Sequence, residues 1–284
     1  MNRFFPVVEM TERIEAATKS SLLILLFLCR MNISVVIITK NEAHIIANTL
    51  QSLQAVTDDI VIVDSGSTDE TVAICKKYNA TVIETNWGGY GINKNKGIAA
   101  AKHDWILSLD ADEAIDAALQ QSLLQLALTN EAEVFDIRFK NFFCNKWIRF
   151  GEWGFDRHIR LFNRKKVQWN NVAVHENLVF PENVTVTKLT GNILHYTVQN
   201  RQEYDAKTDH YARMNAKKYA EAGKKKNFFK QYLSPVFAFI QHYIFRLGFL
   251  DGREGFIIAK TTARYTFLKY RYLKEMNKNN NTKI

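Results

Sequence analysis

From Ile33 onward the chain alternates short apolar runs with segments of helical spacing. "ISVVIIT" is a continuous β-branched run, the pattern of a strand buried on both faces of a parallel sheet. "EAHIIANTLQSLQ" then places Ile45, Ile46, Leu50 and Leu53 on one helical face. A second strand, "DIVIVD", ends at Asp64, and Ser67 and Glu70 behind it stand at capping-box spacing, predicting that the next helix starts there. "ATVIE" reads as a third strand. The glycine-rich loop "NWGGYG" and a helical "NKNKGIAAAK" lead from it to the fourth strand, "DWILSLD".

Such alternation implies a doubly wound, mostly parallel sheet flanked by helices, an α/β fold. Ligands of such sheets sit beyond the carboxyl ends of the strands. That rule selects Thr39, Asn41 and Glu42 after the first strand, Asp64 after the second, and Asp110 and Asp112 after the fourth. Further on, a helix is expected from Asp116, its capping residue, to about Leu128. Strands are expected at "EVFDIRFKNFF", "RHIRLF" and near "VTVTKL", and helices beyond Asn200. The polar tail "EMNKNNNTKI" reads as frayed or disordered.

At 284 residues, 47% of them hydrophobic, the chain can bury a full core. Cys29, Cys75 and Cys144 lie far apart without C-x-x-C spacing, which favours neither a disulfide framework nor a zinc site and fits a reducing cytoplasm. Charge changes the picture more. Residues 1–200 hold 20 Lys/Arg against 22 Asp/Glu, whereas residues 201–284 hold 18 against 7, so the net +9 resides in the last third. An anionic partner for that segment follows, either nucleic acid or an acidic membrane surface. No nucleic-acid module is recognisable, and the mixture of aromatics, aliphatics and cations suits amphipathic helices on an anionic membrane. Helices packed on the preceding domain are the plainer reading of the same residues.

Near the N-terminus, "SSLLILLFLCR" has an apolar core too short to span a bilayer. Glu9, Glu12 and Glu15 precede it and no small-residue cleavage site follows, so a signal peptide fits poorly. Residues 1–30 are read as an extension upstream of a natural start at Met31, residues 31–200 as the α/β domain, and residues 201–284 as a basic helical region.

The chemistry gathers in "LSLDADEAID". Two carboxylates converging on one point repel each other unless a divalent cation lies between them and an anionic substrate. Taken singly, Asp110-Ala111-Asp112 also fits a solvated turn, and Asp64 a turn residue. "TKNEAH" lacks glycine, so no G-x-G-x-x-G pyrophosphate cradle follows the first strand, which argues against NAD or FAD.

In combination, "VVIITKNE", "IVIVDSGSTDET" and "ILSLDADE" resemble the nucleotide-binding half of family 2 glycosyltransferases of the GT-A fold. "WGFDRHIRLFNR", "VHENL" and "LHY" are similar to the branch that adds glucose to an inner-core heptose of bacterial lipopolysaccharide. The resemblance implies an inverting, metal-dependent transfer from a UDP-sugar to a lipopolysaccharide-core or other saccharide acceptor. It places the enzyme on the inner face of the inner membrane, with no nucleic-acid partner. Thr39, Asn41, Glu42 and Asp64 would hold the uridine, and Lys94 and the loop from Trp87 to Gly91 would complete the donor pocket. Asp112, with Asp110, would bind Mg²⁺ or Mn²⁺, and His195 stands where a third metal ligand is often found.

For the base that takes the acceptor proton, Glu176 is the first choice and Asp156 the second. His175, Arg157, Arg160 and Arg164 are candidates for acceptor or phosphate contacts, and Trp147, Trp153 and Trp169 for stacking on sugars or for the core. Other readings remain: a family 2 transferase for a different saccharide or a polyprenyl phosphate, or a non-catalytic membrane or nucleic-acid adaptor on the same fold.

Overall fold

The computed structural model describes residues 32–170, 176–224 and 227–281. It divides into two compact units, one of residues up to Ile137 with Ile159–Asn192, the other of Arg138–His158 with Ile193–Ile284.

The first unit is built on β1 (Ile33–Thr39), β2 (Asp59–Asp64), β3 (Thr81–Glu84) and β4 (Trp105–Asp110). β1 lies between β2 and β4, parallel to both, and every β1 residue is buried. This is why the run tolerates no solvated face: helices cover both sides of a parallel sheet. The register pairs Thr39 with Asp64 and Ile38 with Asp110, so three strands deliver their last residues to one end of the sheet. Beyond β4 the sheet becomes mixed. β5 (Glu113–Ile115), β6 (Glu133–Phe143), β8 (Arg157–Asn163) and β11 (Thr185–Val198) complete the order β3-β2-β1-β4-β8-β6-β11-β5, with β8 antiparallel to β4. The unit boundary falls inside β6, β8 and β11. β7 (Lys146–Trp147) pairs with β6, and β9 (Gln168–Trp169) pairs with β10 (Leu178–Val179).

The helices of this unit are α1 (Ile46–Leu53), α2 (Thr71–Lys77), α3 (Tyr90–Ala100) and α4 (Ala117–Leu124). α2 begins at Thr71, four residues after Ser67, and the expected capping box does not form. The Ser67 hydroxyl instead donates to the Asp64 carboxylate and accepts from the Asn41 amide, so a tertiary bond occupies the cap's acceptor. α4 stops at Leu124 rather than near Leu128. Asp116 caps its start as expected, accepting from the Leu119 amide at 3.0 Å while also bonding Asn192.

In the second unit, α5 (Arg201–Glu221) and α6 (Phe228–Ile240) both pack on α7 (Gly252–Asn281). Asn200 and Asn227 cap α5 and α6 by accepting amide hydrogens. Ala212 and Ala216 of α5 let Leu268, Tyr272 and Leu273 of α7 come close. A π-helical turn (Gln241–Phe245) and a short 3₁₀ turn (Gly248–Asp251) join α6 to α7. The buried Asp251 accepts the amides of Arg149 and Phe150 at 3.1 and 2.8 Å, tying this junction to the segment after β7. The polar tail is helical as far as Asn281, against the expectation of disorder. Asn277 donates to the Lys224 carbonyl at the end of α5, an anchor the local composition does not reveal.

Candidate active site

The residues selected by strand ends in the first unit lie in a turn system and a charge cluster. In the turn, Ser65 donates its amide to the Thr39 carbonyl at 3.0 Å, joining the ends of β1 and β2. Asn41 adopts φ +56, a left-handed conformation that asparagine tolerates better than most residues. Its side chain accepts from the Thr68 amide at 2.7 Å, and the Glu42 amide donates to Thr71 at 2.8 Å. Asp64 is 1% exposed and accepts the amides of Gly66 and Ser67 at 3.0 and 2.8 Å, together with the Ser67 hydroxyl. A carboxylate has about four acceptor positions, so Asp64 shapes the loop and retains capacity for roughly one further donor.

At the end of β4 lies the charge cluster. Lys94, 2% exposed, extends from α3 with its Nζ 2.9 Å from Glu176 and 3.3 Å from Asp110, and 4.5 Å from the centre of the Trp169 ring. Burying an ammonium is costly unless it is paired, and two carboxylates and an aromatic face meet that requirement. Asn95 fixes the ring by exchanging hydrogen bonds with the Trp169 backbone, at 2.8 and 3.2 Å. Gly91 is required at the start of α3, since a Cβ there would lie 2.0 Å from the Asn170 carbonyl oxygen.

A second buried cation stands opposite. Arg160 donates to Glu113 at 2.6 Å and lies 3.6 Å from Asp110. Glu113 in turn accepts the Asp110 amide at 3.0 Å, so one carboxylate holds both the arginine and the backbone of the acidic turn. Burial opposes the charge on Arg160. The surrounding Glu113, Asp110, Glu176 and Asp112 outweigh it and hold the guanidinium above its ordinary pKa. Thr49 donates to the Ala111 carbonyl at 2.8 Å and fixes the residue between the two aspartates.

This arrangement gathers Asp110, Asp112 and Glu176 around one pair of cations, Lys94 and Arg160. Three contributors were not evident from the sequence. Glu113 is given no role there, Ser67 is read as a helix cap, and Asn93, fully buried and donating to Ser65 at 2.9 Å, stands in a polar helical segment. Arg164 lies apart from these residues. It bonds Asp104 and the carbonyls of Ile98 and Ala101, closing the C-terminus of α3 at the opposite end of β4. His175 lies outside the described residues.

Other candidates fall in the second unit. Asp156 lies 2.7 Å from His158 Nε2 and 3.4 Å from the Asn141 amide nitrogen. Burial works to raise the Asp156 carboxyl, but the His158 bond and charge, with Asn141 and His195, hold it below the usual range, making it a weaker base. His195 Nδ1 is 2.9 Å from Asn141 Oδ1, and its ring meets Phe139 edge-on. Arg157 opens β8 in this unit. Trp147 lies under Lys140 and Arg149, and Trp153 packs on Phe143 and Tyr204.

As a divalent-cation site, Asp110 and Asp112 offer hard oxygen donors beside solvent. Mg²⁺ commonly takes one or two carboxylates plus substrate phosphates and water, and the pair meets that donor requirement. Among the described residues no group of three or more His, Cys, Asp and Glu converges as a closed metal site.

Comparison with known proteins points in one direction. The model of Glycosyl transferase family 2 matches residues 34–181. The lipopolysaccharide core biosynthesis glycosyltransferase LpsC of Rhizobium meliloti is 31% identical over 84% of this chain and 90% of its own length. An uncharacterized glycosyltransferase of Rickettsia conorii is 28% identical over 86% of this chain and 90% of its own. The crystal structure of S. aureus TarS 1-349 with UDP-GlcNAc aligns with a TM-score of 0.40 and 16% identity, over 88% of this chain and 92% of that one.

Proposed function

The chain belongs to glycosyl transferase family 2, and from that premise we propose that it transfers glucose from UDP-glucose to a heptose of the lipopolysaccharide inner core, with inversion at the anomeric carbon. The similarity to LpsC supports the core-saccharide acceptor. The observation that carries the donor reading is the pair of buried cations, Lys94 and Arg160, held by carboxylates at the end of β4.

The leaving group is a nucleoside diphosphate whose charge grows as the bond between the sugar and its phosphate oxygen breaks. Fixed positive charge held in place beforehand stabilises that change, because it needs little reorganisation during the reaction. Lys94 and Arg160 supply it. The turn of Thr39, Asn41 and Glu42 with Asp64 receives the uridine. Mg²⁺ or Mn²⁺, when held by Asp112 and Asp110, would neutralise further charge on the diphosphate.

On the acceptor side, Glu176 takes the proton of the attacking hydroxyl as its oxygen bonds the anomeric carbon, and UDP departs from the other face. Its contact with Lys94 couples the proton acceptor to the residue that meets the diphosphate. Residues 31–200 carry this chemistry, and residues 201–284 serve attachment.

UDP-sugars screened against truncated lipopolysaccharide acceptors, with product linkage and anomer determined, test this reading. A β-glucosyl heptose product is expected. Turnover with retained configuration rejects the single displacement, and turnover confined to a polyprenyl phosphate rejects the acceptor.

A further inference from the structure

Helix α6 is apolar on both sides. On one, Phe239, continued by Tyr243 of the π-helical turn, packs against Phe256 of α7, with ring centres 5.9 and 5.7 Å away. On the other, Phe229, Leu233, Val236, Phe237 and Ile240 form a stripe at helical spacing that is exposed, Phe229 at 70% and Phe237 at 62%. The polar Gln231 is 8% exposed, so this helix inverts the usual order of a surface helix. The stripe continues into the junction, where Phe245 is 74% exposed and Phe249 and Leu250 follow. A continuous apolar surface of this extent on a water-facing helix marks an interaction site.

The junction that presents it is a built feature. Leu247 adopts φ +58, a conformation a branched side chain enters only where its surroundings require it. Gly248 and Gly255 allow the backbone to fold back on itself, since a Cβ on Gly255 would lie 1.9 Å from the Gly248 carbonyl oxygen. Among the described residues no single helix is long and apolar enough to cross a membrane. Phe229–Phe245 and Gly248–Asn277 reach that length and apolarity only as a pair bent by 72°.

Charge identifies the occupant. Between Glu221 and Asp251 the sequence carries five Lys/Arg and no Asp or Glu. A second copy of the same face would bring like charges together, which opposes self-association. An anionic bilayer satisfies both requirements, acyl chains for the aromatic stripe and headgroups for the cations. We propose that α6 and its junction with α7 enter one leaflet of an anionic membrane as a bent wedge, with the stripe from Phe229 to Ile240 and the tip at Phe245 and Phe249 in the acyl region. The inference deepens the transfer reading above, for which it supplies the surface where a lipid-borne acceptor is met.

Cosedimentation of the full chain with vesicles tests it without any donor or acceptor. Vesicles of phosphatidylglycerol and phosphatidylethanolamine should bind the protein, vesicles of phosphatidylcholine at least about tenfold less, and high salt should weaken the binding. The double variant F237D/F245D should lose about tenfold or more, with its thermal melt unchanged. Val186→Asp, at an exposed apolar residue of β11, should bind as wild type. Phe245→Trp should retain binding and shift its emission to the blue on anionic vesicles.

Equal binding by F237D/F245D, or no emission shift for Phe245→Trp, overturns the wedge. So does a wild-type chain that ignores vesicles but forms oligomers in light scattering that F237D/F245D dissolves. Vesicle binding without UDP-sugar turnover would leave the wedge standing and defeat the transfer reading, and turnover without vesicle binding would do the opposite.

Discussion

Lys94 Nζ lies 2.9 Å from a Glu176 carboxylate oxygen and 3.3 Å from one of Asp110, so a single buried ammonium reaches a carboxylate 82 positions away in the chain. Removing one partner of a buried ionic cluster leaves the others uncompensated and costs about 3–5 kcal/mol. Lys94→Met is therefore expected to lower stability by about that amount and to weaken UDP binding. Urea unfolding and calorimetric titration with UDP measure the two effects. A variant as stable as wild type would show that Asp110 and Glu176 do not depend on this cation.

The assignment of the base separates two carboxylates. Glu176→Gln keeps the shape of the side chain and a hydrogen-bonding group, but it cannot accept the acceptor proton. Transfer should fall by about 10²- to 10⁴-fold, the usual worth of a positioned base, while UDP binding changes little. Asp156→Asn should cost far less, because its carboxylate is engaged with His158 and Asn141 and is held a weaker base. The reverse order of the two rate losses would move the role to Asp156.

Asp112→Ala isolates the cation site from the fold. Its side chain stands in the turn after β4, outside the core, and the adjacent Ala111 is held by Thr49 independently. Stability should change by less than about 1 kcal/mol, as for most substitutions outside the core. Transfer should drop by at least about a hundredfold, and the gain in UDP binding on adding Mg²⁺ or Mn²⁺ should disappear. Metal-stimulated UDP binding that survives in this variant would place the cation elsewhere.

Much of the sheet is legible in the sequence because β1, β2 and β4 are mainly apolar on both faces, interrupted only by small polar residues such as Ser34 and Ser108, which leaves no choice of face. The strand ends locate Asp64 and Asp110 for the same reason. Asp116 is legible as a cap because its bond to the Leu119 amide is local. Arg160 and Glu113, by contrast, meet across 47 positions, and nothing in either segment specifies that contact. Ser67 is misread because its hydroxyl oxygen accepts from the Asn41 amide, 26 positions away, rather than from the helix start. For α6, periodicity reveals an apolar stripe but cannot give its direction, and the burial of Gln231 decides that the stripe faces outward.

Acid stability offers a test remote from the site. Asp58 is paired with Lys102 and His103, whose hydrogen bonds lower its pKa from 3.8 to about 2. The folded value lies below the unfolded one, so the pair's contribution is complete above about pH 4 and is lost as pH falls through about 2. Partial exposure makes the contribution small. Asp58→Asn should be slightly less stable than wild type at pH 5.5, with the difference vanishing near pH 2. A difference that persists at the lower pH would mean that the carboxylate charge is not its source.

Gly91→Ala sets two magnitudes against each other. Alanine in a helix is normally favoured over glycine by about 1 kcal/mol, and Gly91 lies in the first turn of α3, so propensity alone predicts a gain. The added Cβ, however, would meet the Asn170 carbonyl oxygen at 2.0 Å, with Glu176 Cβ at 3.4 Å. Backbone cannot yield as a flexible side chain does, and overpacking of this kind costs about 1–3 kcal/mol. Either the Asn170 segment or the start of α3 must then move, and α3 carries Lys94. The variant should therefore lose about 1–2 kcal/mol net in urea unfolding, and its UDP affinity should fall as Lys94 is displaced. A rise in stability with unchanged UDP affinity would show that α3 and the Asn170 segment are not packed as closely as this.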